Sequence, residues 1–230
     1  MKKPRYYTAA ATRELDRRAI EEHNIPGFEL MQRAGKAAFN ALLQNWPDIR
    51  KTIILCGTGN NGGDGFIIAG LAKTAGLEVD LFVAGDISSI KGDALKALDY
   101  ALNNGTHTHP ATKFYTADIE YKNRKDSGNT ILVDALLGTG LSGKVREPFT
   151  QLINQINACN LPVLAVDIPS GLCSDTGKIL GVAVKADLTI TFIGRKIGLI
   201  RRSGPELTGK LLFDDLNLPE VIYSNVLFSK

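Results

Sequence analysis

The stretch Thr52-Ile53-Ile54-Leu55-Cys56-Gly57-Thr58-Gly59-Asn60-Asn61-Gly62-Gly63-Asp64-Gly65 constrains everything around it. An apolar, β-branched run breaks into five glycines, two adjacent asparagines and an aspartate; Phe66, Ile67, Ala69, Leu71 and Ala72 then follow at helical spacing. The pattern predicts a strand, a tight loop and a helix over 65–75. Such a junction takes anions or polar ligands, because glycines let the backbone come close and the first helical N–H groups lack partners and carry the positive end of the dipole. Gly57-x-Gly59-x-x-Gly62 matches the dinucleotide fingerprint. A pyrophosphate cradle, however, needs neither the amides of Asn60 and Asn61 nor a carboxylate at Asp64. A plainer reading is a Gly-rich turn with Asp64 capping the helix, but a cap requires neither five glycines nor paired amides.

Apolar runs alternate with helical patterns from Lys51 onward. Strands are predicted at 52–56, 78–83, near 113–115, 130–134, 162–167, 187–193 and 210–213, with helices at 65–75, 91–103 and 148–158. This alternation implies an α/β fold, a mostly parallel sheet with helices on both faces, whose ligands bind outside the carboxyl ends of the strands. Two helices precede it, at about 8–23 and 28–45, so residues 1–50 read as a helical extension of a single domain spanning 1–230. The second helix carries a small-residue face (Ala34, Gly35, Ala38) that allows close packing against a helix of the same chain or of a partner. It is a candidate dimer surface. Residues 123–128 read as a polar surface loop.

A chain of 230 residues with 44% apolar content can bury one sizeable core. The net charge of +3 is too small, and the basic residues too scattered, for a nucleic-acid surface; Lys2, Lys3 and Arg5 form the one terminal basic cluster. No apolar run follows that cluster as a signal peptide requires, and none elsewhere reaches bilayer length. Three cysteines, Cys56, Cys159 and Cys173, lack metal-ligand spacing and fit a reducing, cytoplasmic setting.

Two more strands end in polar, glycine-bearing loops. One reads Asp134-Ala135-Leu136-Leu137-Gly138-Thr139-Gly140-Leu141-Ser142-Gly143-Lys144. Its last part matches the start of a P-loop, but Val145 stands where a magnesium-binding Ser or Thr is required, which excludes an ordinary NTPase. A backbone nest with Lys144 nearby can still cradle a phosphate without a metal. The other reads Asp167-Ile168-Pro169-Ser170-Gly171-Leu172-Cys173-Ser174-Asp175-Thr176-Gly177. An aspartate ending a buried strand costs free energy unless it is hydrogen-bonded, paired or used chemically. For one aspartate a loop cap suffices as an explanation; here Asp134 and Asp167 converge on an asparagine-rich loop.

Gly59-Asn60-Asn61-Gly62-Gly63-Asp64-Gly65, Asp134 to Gly140 and Val166-Asp167-Ile168-Pro169-Ser170-Gly171, in this order, resemble the NAD(P)HX epimerase family, the YjeF N-terminal domain. Leu30-Met31-x-x-Ala34-Gly35, Thr191-Phe192 and Lys196-x-Gly198-Leu199 extend the resemblance along the chain. It implies a Rossmann-like three-layer sandwich and interconversion of the R and S epimers of hydrated NADH or NADPH, so that a dehydratase specific for the S form can restore the cofactor. It also implies that Asn60, Asn61, Gly62, Gly63 and Asp64, with Gly138, Thr139, Gly140, Leu141, Ser142, Gly143 and Lys144, hold the hydrated dinucleotide. Asp167 would contact the reacting ring, and Asn61, Asp134 and Ser170 would coordinate a potassium ion. The family is fused to the dehydratase in many bacteria, and this chain resembles a stand-alone epimerase or an isolated domain.

The residues agree with that chemistry. Inverting a carbinolamine carbon needs departure of the hydroxyl or opening of the ring, and either route moves a proton at that oxygen. One positioned carboxyl, Asp167, can donate and then accept it. An all-oxygen ion site with one carboxylate suits a hard cation and not zinc. His23, His107 and His109 lie outside the three loops. Two other readings compete. An NAD(P)-dependent oxidoreductase would use an acid such as Asp86, after the second strand, to bind ribose. A non-catalytic binding or scaffold domain of this fold would not need Asp167, Asn61 and Asp134 together.

Overall fold

The computed structural model describes residues 4–114 and 129–228. Lys2, Lys3, the 123–128 loop and residue 115 of one expected strand lie outside the described residues. Along the chain run β1 (Tyr6–Tyr7), α1 (Ala9–Arg17), α2 (Gly27–Asn45), β2 (Lys51–Cys56), α3 (Asn60–Thr74), β3 (Glu78–Val83), α4 (Gly92–Asn103) and β4 (Thr108–Pro110). Then come β5 (Thr130–Ala135), α5 (Phe149–Ala158), β6 (Val163–Val166), β7 (Leu188–Phe192), β8 (Arg195–Lys196), α6 (Gly204–Thr208) and β9 (Lys210–Asp214).

Seven strands form one sheet in the order β4-β3-β2-β5-β6-β7-β9, every pair parallel. The order reverses between β2 and β5. At that switch point the connections leave toward opposite faces and open a crevice at the carboxyl ends of the strands. Side chains alternate across each strand, which is why the runs read as continuously apolar: both faces are covered. Ile54 and Cys56 of β2 and Val133 of β5 face a core shared with α2, α3 and α4, whereas Ile53, Leu55 and Leu132 face a second core with Leu152, Ile153 and Ile156 of α5. Ile53, Ile54 and Leu55 are wholly buried, each contributing roughly 1.5–3 kcal/mol. The result is the expected three-layer, Rossmann-like sandwich. Among the described residues no helix is long and apolar enough to cross a membrane.

Four local expectations are corrected. The helix after β2 starts at Asn60, five residues earlier than its composition indicates, so Asp64 lies inside it; Gly59 is the N-cap and no side chain caps it. The glycines of its first turns serve packing: a Cβ on Gly62 would lie 1.9 Å from the Gly57 carbonyl oxygen, and one on Gly65 would lie 2.5 Å from Cys56 Sγ. The fourth strand is Thr108–Pro110, and Lys113 belongs to a 3-10 turn. The first helix, N-capped by the Thr8 side chain, gives way to a π-helical turn at Arg18–Glu22. Finally, the small-residue face of α2 is filled within the chain, a Cβ on Gly35 standing 2.5 Å from Ile67 of α3, so it is not a free dimer surface.

Candidate active site

The three polar loops meet at the switch point. Loop β2–α3 touches loop β5–α5 through Gly57, whose N–H donates to the Ala135 carbonyl (3.0 Å), and through Gly138, where a Cβ would lie 3.2 Å from Asn61. The β5 and β6 loops are joined by Ser170. Its N–H and Oγ donate to Asp134 (2.8 and 2.6 Å), and its Oγ accepts from the Leu137 N–H (2.8 Å). Asp134 is wholly buried; burial pushes its carboxyl up to about 6 against the pull of those hydrogen bonds.

Over this junction lies a cavity of about 670 Å³. Asn60, Asn61 and Asp64 of α3 line it, with Gly138, Thr139, Gly140, Leu141 and Ser142 of the β5 loop and Asp167 at the end of β6. These are expected site residues, brought together as the loops implied. Gly62 and Gly63 are not on its wall but inside α3, with Gly63 against Met31. Asp134 and Ser170 lie behind the wall made by Leu136 and Leu137. Gly143 and Lys144 fall outside it, and Lys144 is exposed. Val145, where a P-loop carries its hydroxyl, packs into the second core. Asn61 stands out: its amide oxygen and nitrogen are both buried without a hydrogen-bond partner. Orphaned groups of this kind are rare and mark a place for a ligand or ion.

Asp167 has φ +67°, unusual for a residue with a side chain. The Ile168 N–H donates to the Val166 carbonyl (2.8 Å), so Asp167 is the centre of a three-residue turn of the strained, positive-φ kind. Ile193, one strand over and at φ +63°, centres a similar turn closed by the Gly194 N–H on the Phe192 carbonyl. This geometry takes Asp167 off the strand line and aims its carboxylate at the end of β7 and the start of β8. There its Oδ1 accepts from the ammonium of Lys196, from Thr191 Oγ1 (3.2 Å) and from the Phe192 N–H (3.4 Å). Lys196 is 2% exposed and also donates to the Phe192 carbonyl (2.9 Å).

Two further carboxyls face this pair. Burial, with Asp167 and Asp16 nearby, pushes Asp64 well above the usual carboxylate range, and Lys196 opposes this only in part. Burial likewise raises Asp16 of α1 to about 6, with Lys196 lowering it and Asp167 raising it. Asp16 and the role of Lys196 escape sequence reasoning: Asp16 is one charged residue on a short helix with no motif around it, and Lys196-x-Gly198-Leu199 gives no sign of which carboxyl Lys196 pairs with. The contact that delivers them is the parallel pairing of β1 with β8, Tyr7 opposite Lys196, which sets α1 over the cleft. The Ala9 N–H then donates to Asp175 Oδ1 (2.6 Å) and pins the start of that helix. Asp86, the acid an oxidoreductase would use on ribose, is exposed, does not line the cavity and binds Ser88 N and Oγ. The three histidines also lie off the cavity wall.

A parallel sheet in Rossmann order, with a polar cleft at its switch point and a carboxylate–ammonium pair at the cleft floor, defines an α/β domain that binds its ligand at the strand ends. Sequence comparison gives the family. The model described as YjeF-related protein N-terminus matches residues 27–198, and the chain belongs to that family. It is 41% identical over 220 residues to the "Bifunctional NAD(P)H-hydrate repair enzyme Nnr" of Coxiella burnetii, covering 96% of this chain and 43% of that protein. The chain thus spans less than half the length of that relative. It is 35% identical over 208 residues to the "NAD(P)H-hydrate epimerase" of Limosilactobacillus fermentum, covering 90% and 95% of the two chains. The crystal structure of yeast YNL200c superposes with a TM-score of 0.75 at 19% identity, over 98% of this chain and 99% of that one, and shares the fold.

Proposed function

We propose that this protein interconverts the R and S epimers of hydrated NADH and NADPH. The carrying observation is the Asp167–Lys196 pair, set by a strained turn at the floor of a polar cleft over the switch point. Asn60, Asn61 and Asp64 on one side and Gly138 to Ser142 on the other hold the dinucleotide in this reading, with Gly62 and Gly63 letting the first turns of α3 pack closely and Gly143 and Lys144 shaping the β5 loop. Asp167 sits at the reacting ring and exchanges a proton with its hydroxyl oxygen. Lys196 keeps that carboxylate oriented. The family names of the relatives support the same activity. Incubating the protein with purified R epimer and following the S epimer by chromatography tests it; a rate equal to that without protein removes the reading.

A potassium ion held by Asn61, Asp134 and Ser170 belongs to the proposal. The donor set fits: Asn61 Oδ1 lacks a partner, Asp134 and Ser170 lie on loops hydrogen-bonded to each other, and among the described residues no three His, Cys, Asp or Glu side chains group as a metal site. One carboxylate with neutral oxygens matches a monovalent hard cation. When bound, the ion supplies positive charge that balances Asp134 beneath an anionic ligand. The reading also includes a cytoplasmic setting, a dehydratase as functional partner and a homodimer. Light scattering measures the last of these.

A further inference from the structure

Asp16 lines the same cavity as Asp167 but from the α1 wall. It is half-buried, and among the described residues no hydrogen bond or ion pair reaches its carboxyl. The arginines that follow it are engaged elsewhere: Arg17 with Glu14, Glu21 and Glu22, and Arg18 with Glu14 and the Ser224 carbonyl. Arg13, on the same helix, stays exposed at the cavity mouth. The charged groups facing Asp16 from other elements are Asp167, Lys196 and Asp64. A carboxyl placed unpaired against two others costs stability and has no structural return. The cavity's claim to a polar ligand stands separately on the orphaned amide of Asn61.

We propose that Asp16 is a second acid/base carboxyl of this site, serving the α1 side of the reacting ring as Asp167 serves the β6 side. The inference rests on the epimerase reading. Inversion requires the hydroxyl to leave from one face and water to return on the other, and two carboxyls on different walls meet that requirement. The C–O bond breaks with both electrons going to oxygen, which takes the proton of one carboxyl and departs as water; the ring nitrogen's lone pair completes an iminium. Water then adds from the opposite side, the iminium electrons return to nitrogen, and the other carboxylate takes the proton released. Nothing is oxidised or reduced, and proton exchange with solvent resets the pair. Asp16, at about 6, exists in both forms near neutral pH, as a group that must donate and accept requires, whereas burial pushes Asp64 well above the usual carboxylate range.

The test is epimerisation of each purified epimer in ¹⁸O-water by the parent, Asp16→Asn and Asp16→Glu, with the reaction without protein subtracted and melting curves recorded. The parent should incorporate one solvent oxygen per inversion. Asp16→Asn should lose inversion about 100-fold yet continue to exchange the oxygen of one epimer without inverting it, because Asp167 still serves its own face. Asp16→Glu should recover part of the inversion. Inversion within a few-fold of the parent in Asp16→Asn overturns the proposal, as does equal loss of exchange and inversion, which marks a structural role. Inversion by the parent without oxygen uptake also overturns it, while no inversion by the parent removes the underlying reading instead.

Discussion

The ammonium of Lys196, 2% exposed, is shared between the Asp167 carboxylate and the Phe192 carbonyl at 2.9 Å, so a buried cation is balanced by a half-buried carboxylate. Removing one partner leaves a buried charge uncompensated. Lys196→Met should therefore destabilise by about 3 kcal/mol. Combined with Asp167→Asn, the loss should fall short of the sum by about 1 kcal/mol or more. Urea denaturation of the two single variants and the double variant measures this, and additive losses would show that the pair gives no mutual support.

Asp167→Asn keeps the shape of the side chain and an oxygen for Lys196 while removing the proton carrier. Epimerisation should fall about 100-fold or more, with the fold retained. Turnover within a few-fold of the parent would show that Asp167 is not the acid/base group.

Asp16 also makes stability depend on pH. Its carboxyl is raised from 3.8 to about 6 in the folded chain, so its contribution is fully present below about pH 4 and is lost as pH rises through 6. Relative to Asp16→Asn, the parent should weaken across that window, by at most roughly 3 kcal/mol at pH 7. Melting both proteins from pH 3.5 to 7 checks the sign: a parent that gains on the variant with rising pH contradicts it.

Potassium should raise the melting temperature, or tighten dinucleotide binding, more than sodium at equal ionic strength. Asp134→Asn should erase the difference, since it removes the one carboxylate of the proposed donor set. Identical behaviour of parent and variant in matched buffers would leave Asp134 as a loop cap, fastening Ser170 and Leu136.

Gly35→Ala improves helix propensity on α2 yet places a methyl 2.5 Å from Ile67 and 3.1 Å from the Asp64 carbonyl oxygen. Overpacking at such a seam costs about 1–3 kcal/mol, more than the propensity gain of roughly 1 kcal/mol. A net loss in chemical denaturation is expected, and a net gain would mean that α2 and α3 can part without strain.

Much of this was legible in the chain because glycine, asparagine and aspartate punctuate buried strands. The runs before Gly57, Asp134 and Asp167 are strands, and the loops after them converge. The start of α3 was hidden by that same punctuation: Gly62 and Gly63 read as loop residues, whereas packing against Gly57 and Met31 is what demands them. The edge strand β4 is three residues ending in proline, too short for alternation to register. Asp16 carries no local pattern, and Lys196-x-Gly198-Leu199 marks Lys196 without naming its partner. Their meeting depends on Tyr6 and Tyr7 pairing with Arg195 and Lys196, a contact that only the assembled fold specifies.

That pairing has a consequence for synthesis. The Ala9 N–H and the Asp175 carboxylate that receives it are 166 residues apart, and the β1–β8 bridge spans a longer stretch still. The segment bearing Asp16 leaves the ribosome early, but the strands that seat it emerge late, so it must wait in an unpaired state while the sheet forms. Contacts of such separation are slow to close and leave apolar faces uncovered meanwhile. A nascent chain released before Lys196 has emerged would hold the β2 and β5 loops and the carboxylate of Asp167, but would lack the strand on which the N-terminal helix docks.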